Sequence, residues 1–195
     1  MTRKGVVSLS KTKDPGKIFQ NNWAESCKKE KVLCHRFRDI FIPPEFRTKI
    51  KTPKNPYDFI VFSNHYEFPV ELKSVADNKV SFSESIIRLH QIDALIEANK
   101  YKSDGVIPGF IFNFRTYNNE TWFVHIEDFI EYKQIAEAGV KLEKYPKINK
   151  RSMPIETVRA IGIKINNYKM KTNYHYCIRE FVQYAIEKHG SKFHS

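Results

Sequence analysis

Two acidic side chains and a lysine lie at a spacing that suits metal-assisted hydrolysis. Asp58 precedes an apolar run at 59–62, and Glu71 and Lys73 follow thirteen and fifteen residues after it. Side chains alternate along a strand, so Glu71 and Lys73 project from one face. A hairpin would bring Asp58 beside Glu71, where two carboxylates repel each other unless a hard cation such as Mg²⁺ lies between them. An adjacent ammonium group can orient the attacking water or offset charge on a phosphate.

The same residues also fit another interpretation, an exposed strand edge decorated with charges. Natural sheet edges often carry Glu and Lys. The apolar residues at 59–62 and 68–70 favour a central hairpin instead, where charges without a function are costly. The pattern therefore predicts phosphodiester hydrolysis with Asp58, Glu71 and Lys73 as catalytic residues, Mg²⁺ as the cofactor and Mn²⁺ able to substitute for it.

Hydrophobic spacing and turn residues predict the elements that must position these side chains. A helix is predicted at 16–31, after Pro15, and a half-buried strand at 32–38. Further strands are predicted at 57–62, 66–75, 110–115, 121–126 and 157–165. Further helices are predicted at 86–100, with a serine N-cap, and at 127–138 and 174–188. No repeat or linker divides the chain, which predicts one α/β domain over residues 15–190.

Positive charge is concentrated towards the N-terminal end. The net charge is +11, and residues 1–54 hold fourteen Lys and Arg against five Asp and Glu. Residues 1–14 are expected to form a flexible basic arm, and the prolines and bases at 42–56 predict a projecting basic loop or stalk. Such asymmetry attracts nucleic acid, although a solvated basic surface is the alternative. The candidate DNA-binding residues are Lys17, Arg36, Arg38, Arg47, Lys49, Lys51 and Lys54.

Composition excludes several classes of protein. The chain has no apolar run near the ~18 residues that cross a bilayer, so no membrane association is expected. Its three cysteines show no CxxC spacing, which favours a reducing compartment. Without a glycine-rich phosphate loop, ATP use is not expected. We expect a soluble cytoplasmic protein.

Taken in order along the chain, these residues resemble the PD-(D/E)xK nuclease superfamily, and within it the RecU family of Holliday junction resolvases. The resemblance rests first on Asp58 and, thirteen residues later, on Glu71-Leu72-Lys73. His90-Gln91-Ile92 is similar to a motif in the helix that follows. Gly16-Lys17-Ile18-Phe19 is similar to the start of the family's first helix. The segments similar to its later parts are 110–114, 122–124 and 150–152.

The resemblance implies a restriction-endonuclease-like mixed sheet flanked by helices, with a basic stalk at about 42–56 that projects into the junction. It implies that Asp58 and Glu71 bind the metal, that Lys73 is the catalytic lysine and that Gln91 completes the metal environment. An exposed polar position on its helix is the other interpretation of Gln91. The resemblance also implies a homodimer acting on branched DNA, with recombination proteins as further candidate partners.

Two positions depart from the family pattern. Gln20 stands where many relatives carry an acid, and Pro56 and Tyr57 stand where relatives often have threonine. Two alternatives stay open. One is a nuclease of the same superfamily that cuts plain duplex DNA, and the other is a catalytically inactive junction-binding protein, which Gln20 makes conceivable.

Overall fold

A computed structural model describes residues 14–38, 42–46 and 54–190 of the chain, and these residues form α-helices on both faces of a central sheet. The helices are α1 (Pro15–Lys29), α2 (Leu89–Asn99), α3 (Ile126–Ala138), α4 (Ile155–Ile161) and α5 (Ile178–His189). The strands are β1 (Leu33–Arg36), β2 (Phe59–Ser63), β3 (Tyr66–Val75), β4 (Lys79–Ser81), β5 (Gly109–Phe114), β6 (Glu120–His125), β7 (Ser152–Pro154), β8 (Ile163–Lys164), β9 (Asn167–Lys169) and β10 (Tyr174–Tyr176). Short 3₁₀ turns lie at Pro44–Phe46 and Lys102–Asp104.

The central sheet has six strands in the order β1-β2-β3-β5-β6-β8. Strands β3 and β5 are parallel, and the other neighbouring strands of this sheet are antiparallel. A parallel neighbour cannot be reached by a tight turn, so the chain crosses from β3 to β5 through β4 and α2. The remaining strands form two small antiparallel pairs, β4 with β7 and β9 with β10.

Helices cover both faces of this sheet, so the predicted mixed sheet flanked by helices is confirmed. On one face α1 and α5 pack on a core that includes Trp23, Phe68 and Phe181. On the other face α2, α3 and α4 pack on a core that includes Phe112 and Phe129. The sheet residues alternate between the two cores, as the pleat requires.

The hairpin of β2 and β3 follows its prediction closely. Its turn contains Asn64 with a positive φ of 55°, a conformation that asparagine tolerates better than most residues. Phe59 is paired with Val70 across the hairpin, and both side chains are fully buried in the core under α1 and α5. Because side chains alternate, the residues next to them point to the other face of the sheet.

The predicted strand at 157–165 is wrong over most of its length, because α4 occupies Ile155–Ile161 and only the short β8 follows. The buried residues Ile155, Val158 and Ile161 recur every three positions, which is helical spacing. The alternation seen in the sequence is real only after Gly162, where Ile163 and Ile165 are buried.

Two predicted helices begin later than expected. The helix predicted at 86–100 begins at Leu89, because the N–H groups of Ile86 and Ile87 both donate to the Ser83 carbonyl in a turn. The carboxylate of Glu84, rather than a serine, accepts from the N–H of Leu89. At the C-terminal end, β10 takes up Tyr174–Tyr176 and the helix runs from Ile178 to His189.

Part of the basic N-terminal third lies outside the described residues. This applies to the predicted arm up to residue 13, and to Arg47, Lys49 and Lys51 of the predicted stalk. Among the described residues, no helix combines the length and the apolar character needed to cross a membrane.

Candidate active site

The β2–β3 hairpin brings Asp58 and Glu71 to the same place. Asp58 directly precedes β2, and the pairing of Phe59 with Val70 puts Asp58 opposite Glu71. The Oδ2 atom of Asp58 accepts a hydrogen bond of 2.9 Å from the Leu72 N–H. Glu71 lies between Val70 and Leu72 of the core under α1 and α5 and so points to the other face, and both carboxylates line one cavity, so the predicted convergence of the two carboxylates is confirmed.

Lys73 lies two residues further along β3, on the same face as Glu71. Its Nζ is 3.0 Å from the Glu71 Oε1, and both side chains are largely shielded, at 14% and 5% exposed. The interpretation of these residues as an exposed, charge-decorated edge is therefore wrong. Strand β3 is a central strand, with β2 on one side and β5 on the other.

Gln91 reaches the same site from the first turn of α2. Its Nε2 donates to the Glu71 Oε1 at 2.5 Å, and its Oε1 accepts from the Lys73 Nζ at 2.8 Å. The same Oε1 also accepts from the Arg88 N–H at 3.1 Å. Gln91 is buried, so its interpretation as an exposed helix residue is wrong. The three side chains of Glu71, Lys73 and Gln91 form a closed hydrogen-bonded ring.

The two carboxylates are held where ionisation is costly. Burial and, to a smaller extent, the neighbouring Asp58 raise the pKa of Glu71 to about 7, against the lowering effect of Lys73 and Arg88. Burial also raises the pKa of Asp58, against the lowering effect of the Leu72 N–H and Lys73. A fold that keeps two acids together in this way favours a proton or a cation between them.

Gln20, one of the positions that depart from the RecU pattern, is part of the site. Gln20 on α1 donates from Nε2 to the Asp58 Oδ1 at 2.8 Å. Its Oε1 accepts from the Arg36 Nη2 at 2.6 Å. Arg36, which was predicted to contact DNA, is therefore hydrogen-bonded to Gln20. The sequence gives no local signal for this contact, because it depends on how α1 lies across β1 and β2.

A polar cavity of about 420 Å³ opens between the hairpin and α2. Asp58, Glu71 and Lys73 line it, and so do Lys54 and Arg88. Lys54 was predicted to contact DNA, whereas Arg88 was missed, although it directly precedes the helix that carries Gln91. The other described candidates for DNA binding, Lys17, Arg36 and Arg38, do not line the cavity.

The donor set of this site suits a hard divalent cation. Within residues 14–38, 42–46 and 54–190, no group of three or more His, Cys, Asp or Glu side chains is arranged to hold a metal ion. The candidate oxygens are those of the two carboxylates and the Oε1 of the Gln91 amide, which already accepts from the Lys73 Nζ and the Arg88 N–H. Mg²⁺ accepts one or two carboxylates and keeps several waters, and the two neighbouring carboxylates, both of raised pKa, fit such an ion.

Comparisons of sequence and of fold with known proteins show what this chain is similar to. The sequence matches none of the models of known protein families. In its fold, the chain has a distant likeness to Hjc, a Holliday junction resolvase of the archaeal hyperthermophile Archaeoglobus fulgidus, with a TM-score of 0.46 and 11% identity over 76% of this chain and 95% of that one. In sequence, it is 39% identical over 177 residues to the SPbeta prophage-derived uncharacterized protein YotM of Bacillus subtilis (strain 168), a match that covers 91% of this chain and 89% of YotM. The chain therefore belongs to the same protein family as YotM.

Proposed function

We propose that this chain is a divalent-metal-dependent DNA endonuclease of the PD-(D/E)xK type, similar to the RecU family, that resolves four-way DNA junctions. The observation that carries the proposal is the convergence of Asp58, Glu71, Lys73 and Gln91 on one polar cavity. A buried acid and a half-buried one, an ammonium group 3.0 Å from the buried acid and a nearby amide are the groups that metal-assisted phosphodiester hydrolysis needs.

In the proposed mechanism, Asp58 and Glu71 would hold Mg²⁺, or Mn²⁺ in its place, and Gln91 would complete the metal environment once its Oε1 releases the Arg88 N–H. When bound, the ion supplies Lewis acidity for the attacking water and for the leaving oxygen. Lys73 is held by Glu71 and Gln91 at 3.0 and 2.8 Å, so its charge is fixed at the cavity. From there it orients the water or offsets the charge that builds on the phosphate.

The cavity also carries positive charge that suits a nucleic-acid backbone. Lys54 and Arg88 line it together with Lys73, and Arg88 is close enough to lower the pKa of Glu71. Phosphate contacts of this kind fix the register of a protein on DNA without reading its sequence. We assign Lys54 and Arg88 to the phosphates next to the scissile bond, and Lys17, Arg38, Arg47, Lys49 and Lys51 to more distant phosphates.

A labelled four-way junction tests the proposed activity directly. With Mg²⁺, the wild type is expected to produce paired nicks, whereas Asp58→Asn and Lys73→Ala are expected to bind the junction without cutting it. Asp93→Asn, on the exposed side of α2, is the matched control and is expected to cut normally.

Two outcomes of this experiment contradict the proposal. If the wild type shifts the junction on a gel and leaves it intact, the chain is a junction-binding protein without nuclease activity. If it cuts linear duplex as readily as the junction, it is a duplex nuclease of the same superfamily.

A further inference from the structure

The Gln20 amide lies between a guanidinium group and a carboxylate. Arg36 Nη2 is 2.6 Å from the Gln20 Oε1, and the Gln20 Nε2 is 2.8 Å from the Asp58 Oδ1. The three side chains come from α1, from β1 and from the residue before β2. They therefore join three elements at the rim of the candidate active site.

The chemistry of the two neighbours fixes which way this amide points. A guanidinium group has hydrogen-bond donors and no acceptor, and an ionised carboxylate only accepts. Gln20 Oε1 must therefore face Arg36, and Nε2 must face Asp58. The reversed amide would set two donors against each other at Arg36 and two acceptors against each other at Asp58.

Arg36 is itself held in place. Its Nη1 donates to the Asn21 Oδ1 at 2.7 Å, and its guanidinium carbon lies 5.6 Å from the centre of the Phe59 ring. A cation over an aromatic face in this range is attracted to it. The orientation of the Gln20 amide is thus set by a side chain that two further contacts hold in place.

Asp58 receives one hydrogen bond on each oxygen. Gln20 Nε2 donates to Oδ1, and the Leu72 N–H donates to Oδ2. These two donors fix the rotation of the carboxylate about its bond to the side chain. Each oxygen can accept more than one partner, so both can still bind a cation.

The geometry points to Gln20 and Arg36 as positioning residues for Asp58. Arg36 holds the amide in its donor orientation, and Gln20 fixes the carboxylate in the orientation from which it binds the ion. Helix α1 thereby contributes a hydrogen-bond donor at the position where an acid would contribute a ligand. This inference rests on the proposed function, in which Asp58 is a metal ligand, and it adds that Arg36 acts through Gln20.

Calorimetric titration of the whole chain with Mn²⁺, without DNA, tests the inference. Gln20→Met keeps the side-chain volume and removes the donor, and it is expected to weaken Mn²⁺ binding about tenfold, as the loss of a side chain that orients a metal ligand does. Arg36→Met is expected to weaken it by a similar factor or less. The double variant is expected to bind Mn²⁺ within about twofold of Gln20→Met, because the hydrogen-bonded route from Arg36 to Asp58 is then gone and only the weak Coulombic effect of Arg36 on Asp58 is left.

Three further variants complete the experiment. Arg36→Lys keeps a charged donor and is expected to bind Mn²⁺ within about twofold of the wild type. Gln183→Met removes an amide that donates to Glu187 on the exposed side of α5 and is expected to have no effect. Asp58→Asn is expected to lose Mn²⁺ binding.

The results separate the inference from the proposed function. If Asp58→Asn binds Mn²⁺ like the wild type, the proposed metal site is wrong. If Asp58→Asn loses binding while Gln20→Met and Arg36→Met keep it, the metal site stands and the positioning role is wrong. If the losses of Mn²⁺ affinity in Gln20→Met and Arg36→Met multiply in the double variant, the positioning role is also contradicted, because Arg36 would then act independently of Gln20.

Discussion

Glu71 is the residue of this site whose side chain is most costly to ionise. It is 4% exposed, it has Asp58 as a neighbour, and its pKa is raised to about 7. A group with a raised acidic pKa binds its proton more tightly in the folded state than in the unfolded chain. The stability of the metal-free protein should therefore fall as the pH rises from the ordinary pKa of 4.5 towards 7.

Replacing Glu71 tests this pH dependence. Relative to Glu71→Gln, the wild type should lose about 3 kcal/mol of unfolding free energy across that pH range, since one pKa unit corresponds to about 1.4 kcal/mol. Urea unfolding with EDTA at pH 5 and pH 8 measures the difference. Glu67→Gln, at an exposed position of the same strand, is the control. A wild-type-to-variant difference that is equal at the two pH values would contradict the prediction.

Arg88 provides a second prediction at the scale of one residue. If its guanidinium group contacts a phosphate, Arg88→Ala should weaken binding to junctions of any sequence and lower the slope of log affinity against log salt by about 1. Titration of a labelled junction at several salt concentrations, in Ca²⁺ to prevent cutting, measures both. Arg115→Ala removes an exposed guanidinium that donates to the Ser74 carbonyl, and it should leave the slope unchanged. Equal slopes for wild type and Arg88→Ala would remove Arg88 from the DNA contact.

The sequence predicted some site residues and not others for a physical reason. Asp58, Glu71 and Lys73 are placed by strand alternation and hairpin register, which are local properties that a pattern reveals. Gln20 and Arg88 are placed by the docking of helices, which depends on contacts between distant parts of the chain. Gln91 was found only through the resemblance of its motif, since its own helix pattern also fitted an exposed position.

At the scale of elements, the predictions worked where one pattern dominated. The β2–β3 hairpin and α3 were predicted within a few residues, because their alternation or helical spacing runs without interruption. The segment at 155–165 failed because a short helix and a short strand follow each other around Gly162, and their buried residues together imitate one alternating strand. Short elements are decided by tertiary packing more than by local preference.

The docking of α5 on β6 gives a prediction about acid stability. His125, at the end of β6, stacks on His189 of α5 with ring centres 4.5 Å apart. Burial lowers the pKa of His125 to about 4 and that of His189 to about 3. Both rings are therefore neutral in the folded state, and stability should be full above the ordinary pKa of 6.5 and decline as the pH falls below it.

Removing one of these rings should flatten the decline. His189→Gln is expected to lose less unfolding free energy than the wild type between pH 7 and pH 5, whatever its stability at pH 7. Urea unfolding at the two pH values measures this. His65→Gln, in the exposed turn between β2 and β3, should behave like the wild type. If the unfolding free energy of His189→Gln declines more steeply than that of the wild type, the buried histidine pair is not the cause of the wild-type decline.

At the scale of the whole molecule, the expected fold class followed from the arrangement of elements, while assembly depends on the substrate. Cutting a four-way junction on two opposed strands needs two active sites, which a two-fold symmetric homodimer provides. The net charge of +11 suits the convergence of phosphates at a junction. The α/β class was predictable because strands and helices alternate along the chain, whereas the mixed sheet was expected from the resemblance.

Light scattering and mixed dimers test the assembly. The protein bound to a junction is expected to contribute twice its chain mass of 23.1 kDa. A dimer with one Asp58→Asn subunit should nick one strand and leave the opposed strand intact. Full resolution by a complex that contains one chain would contradict the prediction.

The parallel pairing of β3 with β5 has a consequence for the order of folding. Strand β3 carries Glu71 and Lys73, and the crossover that returns the chain to β5 contains α2 with Gln91. The hairpin can form early from local contacts, but Gln91 reaches it only when the long crossover closes, and closing distant contacts is slow. Recovery of the candidate active site during refolding should therefore lag behind formation of the hairpin, so the proposed nuclease activity should return only with this last step.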